Sequence, residues 1–142
     1  MATVSVASMN KYQILVRATP HAWVSDESAP EGDDMGPSPY ELLLSALGSC
    51  TAMTLLMYSR GKGWPLEEVR VTLSHQRVHA QDCRDCEADE SGRVDLITRE
   101  IQVKGELSEE QRERLLSIAT RCPVHKTLTH RPKVVDSIEA LP

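Results

Sequence analysis

The stretch SPYELLLSALGSCTAMTLLMYSRGKG, residues 38–63, decides how the rest of the chain is read. Ser38 supplies an N-cap, Pro39 suits the first helical position, and Glu41 stands three residues after the cap, as a capping box requires. From there an apolar helix is expected to run to Gly61 or Gly63, glycine being a common helix terminator. Apolar residues fall on most sides of it, which predicts a helix buried nearly all round. Small residues at Ser45, Ala46, Gly48, Ser49 and Ala52 let another backbone approach, from this chain or from a second copy.

Cys50 lies mid-helix, on a stripe with Leu43, Ala46, Leu47, Met53, Thr54 and Met57. Taken alone it reads first as a small core hydrophobe, since most buried cysteines are inert, and only second as a reactive thiol. Seventy-two residues later RCPVHKTL, residues 121–128, places Cys122 directly before Pro123. A residue before proline is biased away from the α region, so Pro123 predicts the first position of a new short helix and Cys122 its N-cap. Unpaired N–H groups at a helix start favour a thiolate, and Arg121 and His125 add positive character.

Around these two segments the pattern is α+β. KYQILVRA (11–18) and HAWVSDE (21–27) predict a hairpin turning at Thr19-Pro20, followed by a Gly/Pro-rich loop over residues 28–39. LEEVRVTLSHQRVHA (66–80) and VDLITREIQVKGEL (94–107) predict two long strands joined by a polar turn. Ser108 with Gln111 predicts a second capping box ahead of an amphipathic helix ending near Cys122. KVVDSIEAL (133–141) predicts a closing strand. The order β-β-α-β-β-α-α-β, with strands in hairpins, excludes a doubly wound sheet.

At 142 residues, one domain spanning 1–142 is expected, with core enough to need no disulfide staples. The formal charge of −5, spread along the chain, argues against a nucleic-acid surface. No unbroken apolar run reaches about 18 residues, so no membrane span is expected. The N-terminus lacks the flank and core of a secretory signal, which makes the cytoplasm the expected compartment and free thiols the expected state. Phe is absent, so Leu, Val, Ile and Met must build the core.

His75, His79, Cys83 and Cys86 form a second constellation, with metal-capable residue types in HQRVHAQDCRDCE. Its alternatives are a zinc site, a redox disulfide or an ordinary surface turn. His125 and His130 read as polar positions near a helix end.

GPSPYELLLSALGSCTAMTL followed by RCPVHKTL resembles the OsmC/Ohr family of thiol peroxidases, and the resemblance covers nearly the whole chain. It implies an intertwined homodimer, with antiparallel sheets wrapped around buried central helices and active sites at the subunit interface. It implies that Cys50 is the peroxidatic cysteine and Cys122 the resolving one. The substrate would be an organic hydroperoxide and the reductant an external dithiol, with no cofactor or metal. Peroxidase members of the family pair the thiolate with an arginine, for which Arg17 is the positional match here. They hold that arginine with a Glu ten residues before the cysteine. Tyr40 stands at that position, and Glu41 falls on the far side of the helix from Cys50, at about 100° per residue. A slower peroxidase is therefore expected. A non-enzymatic dimer binding a small apolar or thiol-reactive ligand is the alternative, and a metal-binding module over residues 75–86 another.

Overall fold

A computed structural model describes residues 1–142. The element order is β1 (Ser5–Ser8), β2 (Ile14–Ala18), β3 (His21–Ser25), α1 (Pro39–Lys62), β4 (Glu68–His79), β5 (Arg93–Lys104), α2 (Glu109–Ala119) and α3 (Pro123–Thr129). The α+β class is as the sequence predicts. Two elements differ from expectation: β1 is additional, and residues 131–142 form no strand. The chain divides into two compact units, one of residues 1–46 with 74–97, the other of residues 47–73 with 98–142.

In the first unit, β1, β2 and β3 form an antiparallel meander in that order. The β2–β3 pairing runs from Ile14 opposite Ser25 to Ala18 opposite His21, which leaves Thr19-Pro20 as the turn. Ile14 and Leu15 are half-buried and Val16 is buried, while Arg17 is exposed. Asp26 organises the loop that follows. Its carboxylate accepts hydrogen bonds from the backbone N–H groups of Glu27 (2.8 Å), Asp33 (3.2 Å) and Met35 (3.1 Å). Burial opposes ionisation of this group, but those three donors outweigh it and hold the Asp26 carboxyl below its ordinary value. The loop delivers Ser38, whose Oγ accepts from Glu41 N–H at 3.3 Å while Ser38 N–H donates to Glu41 Oε2 at 2.7 Å. Glu41 thus completes the capping box.

α1 ends as the glycines predict. Gly63 takes φ +67°, its N–H meets Arg60 O (3.2 Å), and Trp64 N–H meets Ser59 O (2.9 Å). That is a Schellman closure, and the accompanying apolar contact is Trp64 edge-on against Tyr58, ring centroids 5.5 Å apart. α1 is not buried all round. Leu47, Gly48, Thr51, Leu55 and Ser59 form its buried side, whereas Met53 and Met57 are 57% and 70% exposed. By length and composition alone the helix would suffice to cross a bilayer, but its buried side packs into a core.

That core belongs to the second unit. Leu55, Leu107, Leu115, Ile118 and Ala119 are buried together, with Tyr58, Trp64, Leu66, Val69, Ile101 and Val103 packed around them. Gly48 allows Leu73 of β4 to close on α1, since a Cβ there would lie 2.8 Å from Leu73 Cδ1. Ser108 and Gln111 cap α2 reciprocally, at 3.1 and 2.9 Å. Beyond α3, Val134, Val135, Ile138 and Leu141 are exposed. The predicted closing strand pairs with neither sheet, and an unpaired strand gains neither hydrogen bonds nor burial. Leu55 is fully buried. Leu55→Ala is expected to cost about 2–5 kcal/mol of stability, since it removes transfer energy and leaves a cavity. A urea midpoint shift worth less than about 1 kcal/mol would show that this core collapses around the deletion.

Candidate thiol site

The second unit contains both free cysteines, Cys50 and Cys122. Cys50 is half-buried on α1, beside the buried side that carries Thr51. Cys122 is 0% exposed and is the N-cap of α3, with Pro123 in the first turn. α2 stops at Ala119 because Pro123 cannot continue a helix and biases the residue before it to extended backbone. Cys122 accordingly sits at φ −57°, ψ 132°, and its Sγ accepts the His125 N–H at 3.3 Å. The N-cap predicted from the Cys-Pro pair is present.

The two thiols are near enough to shift each other's ionisation. Burial pushes the Cys50 thiol up, and donating to Cys122 pushes it further, against partial relief from Val124 N–H and Thr54. Burial also opposes ionisation of Cys122, but hydrogen bonds from Cys50, His125 N–H, Thr51 and Val124 N–H outweigh it and hold the thiol below its ordinary value. Cys122 is therefore the more readily ionised sulfur in this chain, and Cys50 the more accessible.

A third side chain enters this site that the sequence reading passed over. Arg99 Nη1 on β5 donates to Thr51 Oγ1 at 2.9 Å and to Ala119 O at 3.3 Å. The signal was present in the strand pattern. Arg99 shares its parity with Ile101 and Val103, and all three are half-buried, so an arginine occupies an inward position. Arg17, the arginine implied by resemblance, lies exposed on β2 in the other unit, between Ser5 of β1 and Ala22 of β3.

Tyr40 is explained within the first unit. Its ring stacks on His75 at 4.2 Å between centroids, and His75 Nε2 meets Asp95 Oδ1 at 2.8 Å. His75 is thus drawn to Tyr40 and Asp95, and His79 is exposed. Cys83 and Cys86 are joined to each other as a disulfide, Cα atoms 5.6 Å apart. No three His, Cys, Asp or Glu side chains converge in a metal-holding group, so the structure does not assemble the four-residue metal constellation. His130 Nδ1 meets Lys126 O at 2.8 Å, at the end of α3, whereas His125 Nδ1 is buried without a partner.

A family model described as OsmC-like protein matches residues 32–136, a span that includes both cysteines and Arg99. The chain belongs to the OsmC-like family. Solved OsmC-like structures share its fold at low identity. One from Mycoplasma pneumoniae superposes with a TM-score of 0.74 at 15% identity, covering 92% of this chain and 89% of that one. An organic hydroperoxide resistance protein OsmC from Legionella pneumophila gives 0.67 at 13% identity, covering 92% and 90%. An organic hydroperoxide resistance protein from Elizabethkingia anophelis gives 0.65 at 12% identity, covering 92% and 91%. No match is found among curated protein sequences. In this OsmC-like chain the thiol pair therefore sits on a fold that also carries hydroperoxide resistance proteins.

Proposed function

We propose that this OsmC-like protein is a thiol peroxidase that reduces organic hydroperoxides through Cys50 and Cys122. The observation that carries this reading is the nearness of two free thiols of unequal access, one half-buried and one fully buried, each shifting the other's ionisation. The Cys50 thiolate attacks the outer oxygen of ROOH. The O–O bond breaks, the alkoxide takes a proton and leaves as ROH, and Cys50 becomes a sulfenic acid. The Cys122 thiolate then attacks the Cys50 sulfur, the S–O bond breaks, and hydroxide leaves as water after protonation. An external dithiol reduces the resulting disulfide by two successive exchanges and carries away the two electrons' worth of oxidation. Cys50 reacts first because a peroxide can reach it and cannot reach Cys122. Since burial raises the Cys50 thiol, it needs a cation, the role that resemblance gives to Arg17.

The working unit in this proposal is a homodimer. Met53 and Met57 on α1, and the apolar residues of segment 131–142, are largely exposed within one chain, and a second copy would cover them. The test combines two measurements. Purified protein with dihydrolipoamide should consume cumene hydroperoxide catalytically, and sedimentation at micromolar concentration should give a dimer. Absence of turnover would overturn the peroxidase reading, and a stable monomer would overturn the dimer. A second reading is favoured by the raised Cys50 thiol together with Tyr40 bound to His75 in place of a carboxylate. It is a non-enzymatic dimer that binds a small apolar, thiol-reactive ligand at Cys50. Stoichiometric labelling of Cys50 without peroxide turnover would support it.

A further inference from the structure

We infer that Arg99 and Thr51 are positioning residues for the second half of the cycle, with the Thr51 hydroxyl passing the influence of the Arg99 guanidinium to the Cys122 sulfur. This rests on the peroxidase reading for its role in turnover, but the network itself is independent of any activity. Thr51 is fully buried, its Oγ1 accepts from Arg99 Nη1 at 2.9 Å and lies 2.7 Å from Leu47 O, and its hydroxyl is among the groups that favour the Cys122 thiolate.

The hydroxyl has one proton and two acceptors for it. While Cys122 is a thiol, the proton points along the helix to Leu47 O, the ordinary back-bond of a mid-helix threonine. When Cys122 ionises, a charged acceptor competes for that proton, and charge-assisted hydrogen bonds are about twice as strong as neutral ones. The hydroxyl turns to the thiolate. Arg99 stays on the oxygen in both states and polarises the O–H toward sulfur. The network's ionisable side chains are Cys50 on α1, Arg99 on β5 and Cys122 itself; His125 contributes its backbone N–H. Arg99 is the permanent cation among them, since a guanidinium does not lose its proton in a protein.

The chemical consequence falls on two steps. A more ionised Cys122 attacks the Cys50 sulfenic acid faster. It also leaves faster when the reductant attacks Cys50 of the disulfide, because the thiol of lower pKa is the better leaving group. The reductant is thereby directed to the accessible sulfur. The contact of Arg99 with Ala119 O has a separate effect, the closing of the α2 C-terminus.

The test uses Thr51→Val, Thr51→Ser, Arg99→Met and Arg99→Lys in the full chain. Thiolate absorbance near 240 nm is followed against pH, with thermal unfolding as a control for folding. Thr51→Val keeps the shape of the side chain and leaves the Arg99–Ala119 contact available, so it removes the hydroxyl alone, and Arg99→Met tests whether the guanidinium acts beyond that contact. The expected result is that the low-pH thiolate step moves upward in Thr51→Val and Arg99→Met and is restored in Thr51→Ser. In peroxide-treated protein, disulfide formation from the sulfenic acid should slow measurably in the same two variants, because a smaller fraction of Cys122 is then thiolate at a given pH. A folded Thr51→Val protein that titrates like the parent overturns the inference. If Arg99→Met does not fold, Arg99→Lys decides: a titration identical to the parent keeps a cation as the requirement, and loss of the low step without loss of stability shows that the planar guanidinium is needed. Thr51→Val carries the negative outcome in either case. If the parent consumes no peroxide at all, the peroxidase reading fails while the titration still answers for Thr51 and Arg99.

Discussion

Cys50→Ser is expected to abolish hydroperoxide turnover, with a loss of about a thousandfold or more, in line with removal of a nucleophile from an active site. Serine keeps the size and the hydrogen-bonding capacity of the site, so Cys122 should retain its N-cap geometry on α3 and the fold should be unaffected. What is lost is the polarisable anion that attacks the O–O bond. A hydroxyl at this position ionises too weakly, and an alkoxide has no route to a sulfenic acid. Cys122 does not substitute, because it is 0% exposed and no peroxide reaches it. Initial rates with cumene hydroperoxide and dihydrolipoamide, compared with the parent at equal concentration, check this. Equal turnover in the two proteins would overturn the assignment of Cys50 and leave the ligand-binding reading in front. Cys83→Ser and Cys86→Ser serve as controls for the disulfide in the β4–β5 connection, and turnover should survive both.

How much of this was legible beforehand follows from which interactions are local. Both capping boxes, the Schellman end of α1 and the Cys122 N-cap depend on residues within five positions of one another, so their signals are written in short words of sequence. The β4 alternation was readable for the same reason, because Val69, Val71 and Leu73 repeat the period of a strand. Segment 131–142 shows the limit. Its Val134, Val135 and Ile138 favour a strand, but a strand must also pair, and pairing is not a property of the segment alone. Within a single chain α1 buries one side only. An apolar residue announces that it can be buried, and Met53 and Met57 do not say by what.

The site was half legible. The cysteines stood out because their motif contexts resemble a family, and contact between them is a long-range fact that only the packing of α1 against the α2–α3 junction supplies. Arg99 is 48 residues from Thr51. An arginine on the inward parity of β5 could have marked it, but the reading of that strand followed its apolar positions and passed over the charged one among them. Tyr40 was noticed as a departure, and the structure gives it a stacking partner in His75, an aromatic pairing with no spacing rule to betray it. The four potential metal ligands illustrate the reverse case. Suitable residue types close in sequence were separated by competing local partners, with the two cysteines bonded to each other and His75 to Asp95.

Cys122→Ser should leave the first oxidation intact and stop the cycle after it. The Cys50 sulfur still meets the peroxide, so about one equivalent of hydroperoxide per chain should disappear in a burst. The sulfenic acid then has no thiol beside it. Further turnover requires the external dithiol to attack the sulfenic acid directly, and steady-state rates should fall by at least about tenfold, with the sulfenic acid surviving long enough to meet a second peroxide and pass to sulfinic acid. Serine at the N-cap of α3 is a better cap than cysteine, so stability should be unchanged or slightly raised, which separates a chemical loss from a structural one. Three observations check the scheme together. A sulfenic-acid probe should label Cys50 in Cys122→Ser and label the parent weakly. Mass spectrometry after excess peroxide should find Cys50 doubly oxidised in the variant and disulfide-bonded to Cys122 in the parent. Non-reducing peptide mapping should place that disulfide within one chain, because both sulfurs belong to the same compact unit. A Cys122→Ser protein that cycles at the parental rate would remove the resolving role from Cys122 and, with it, the reason for Arg99 and Thr51 to hold that sulfur ready to ionise.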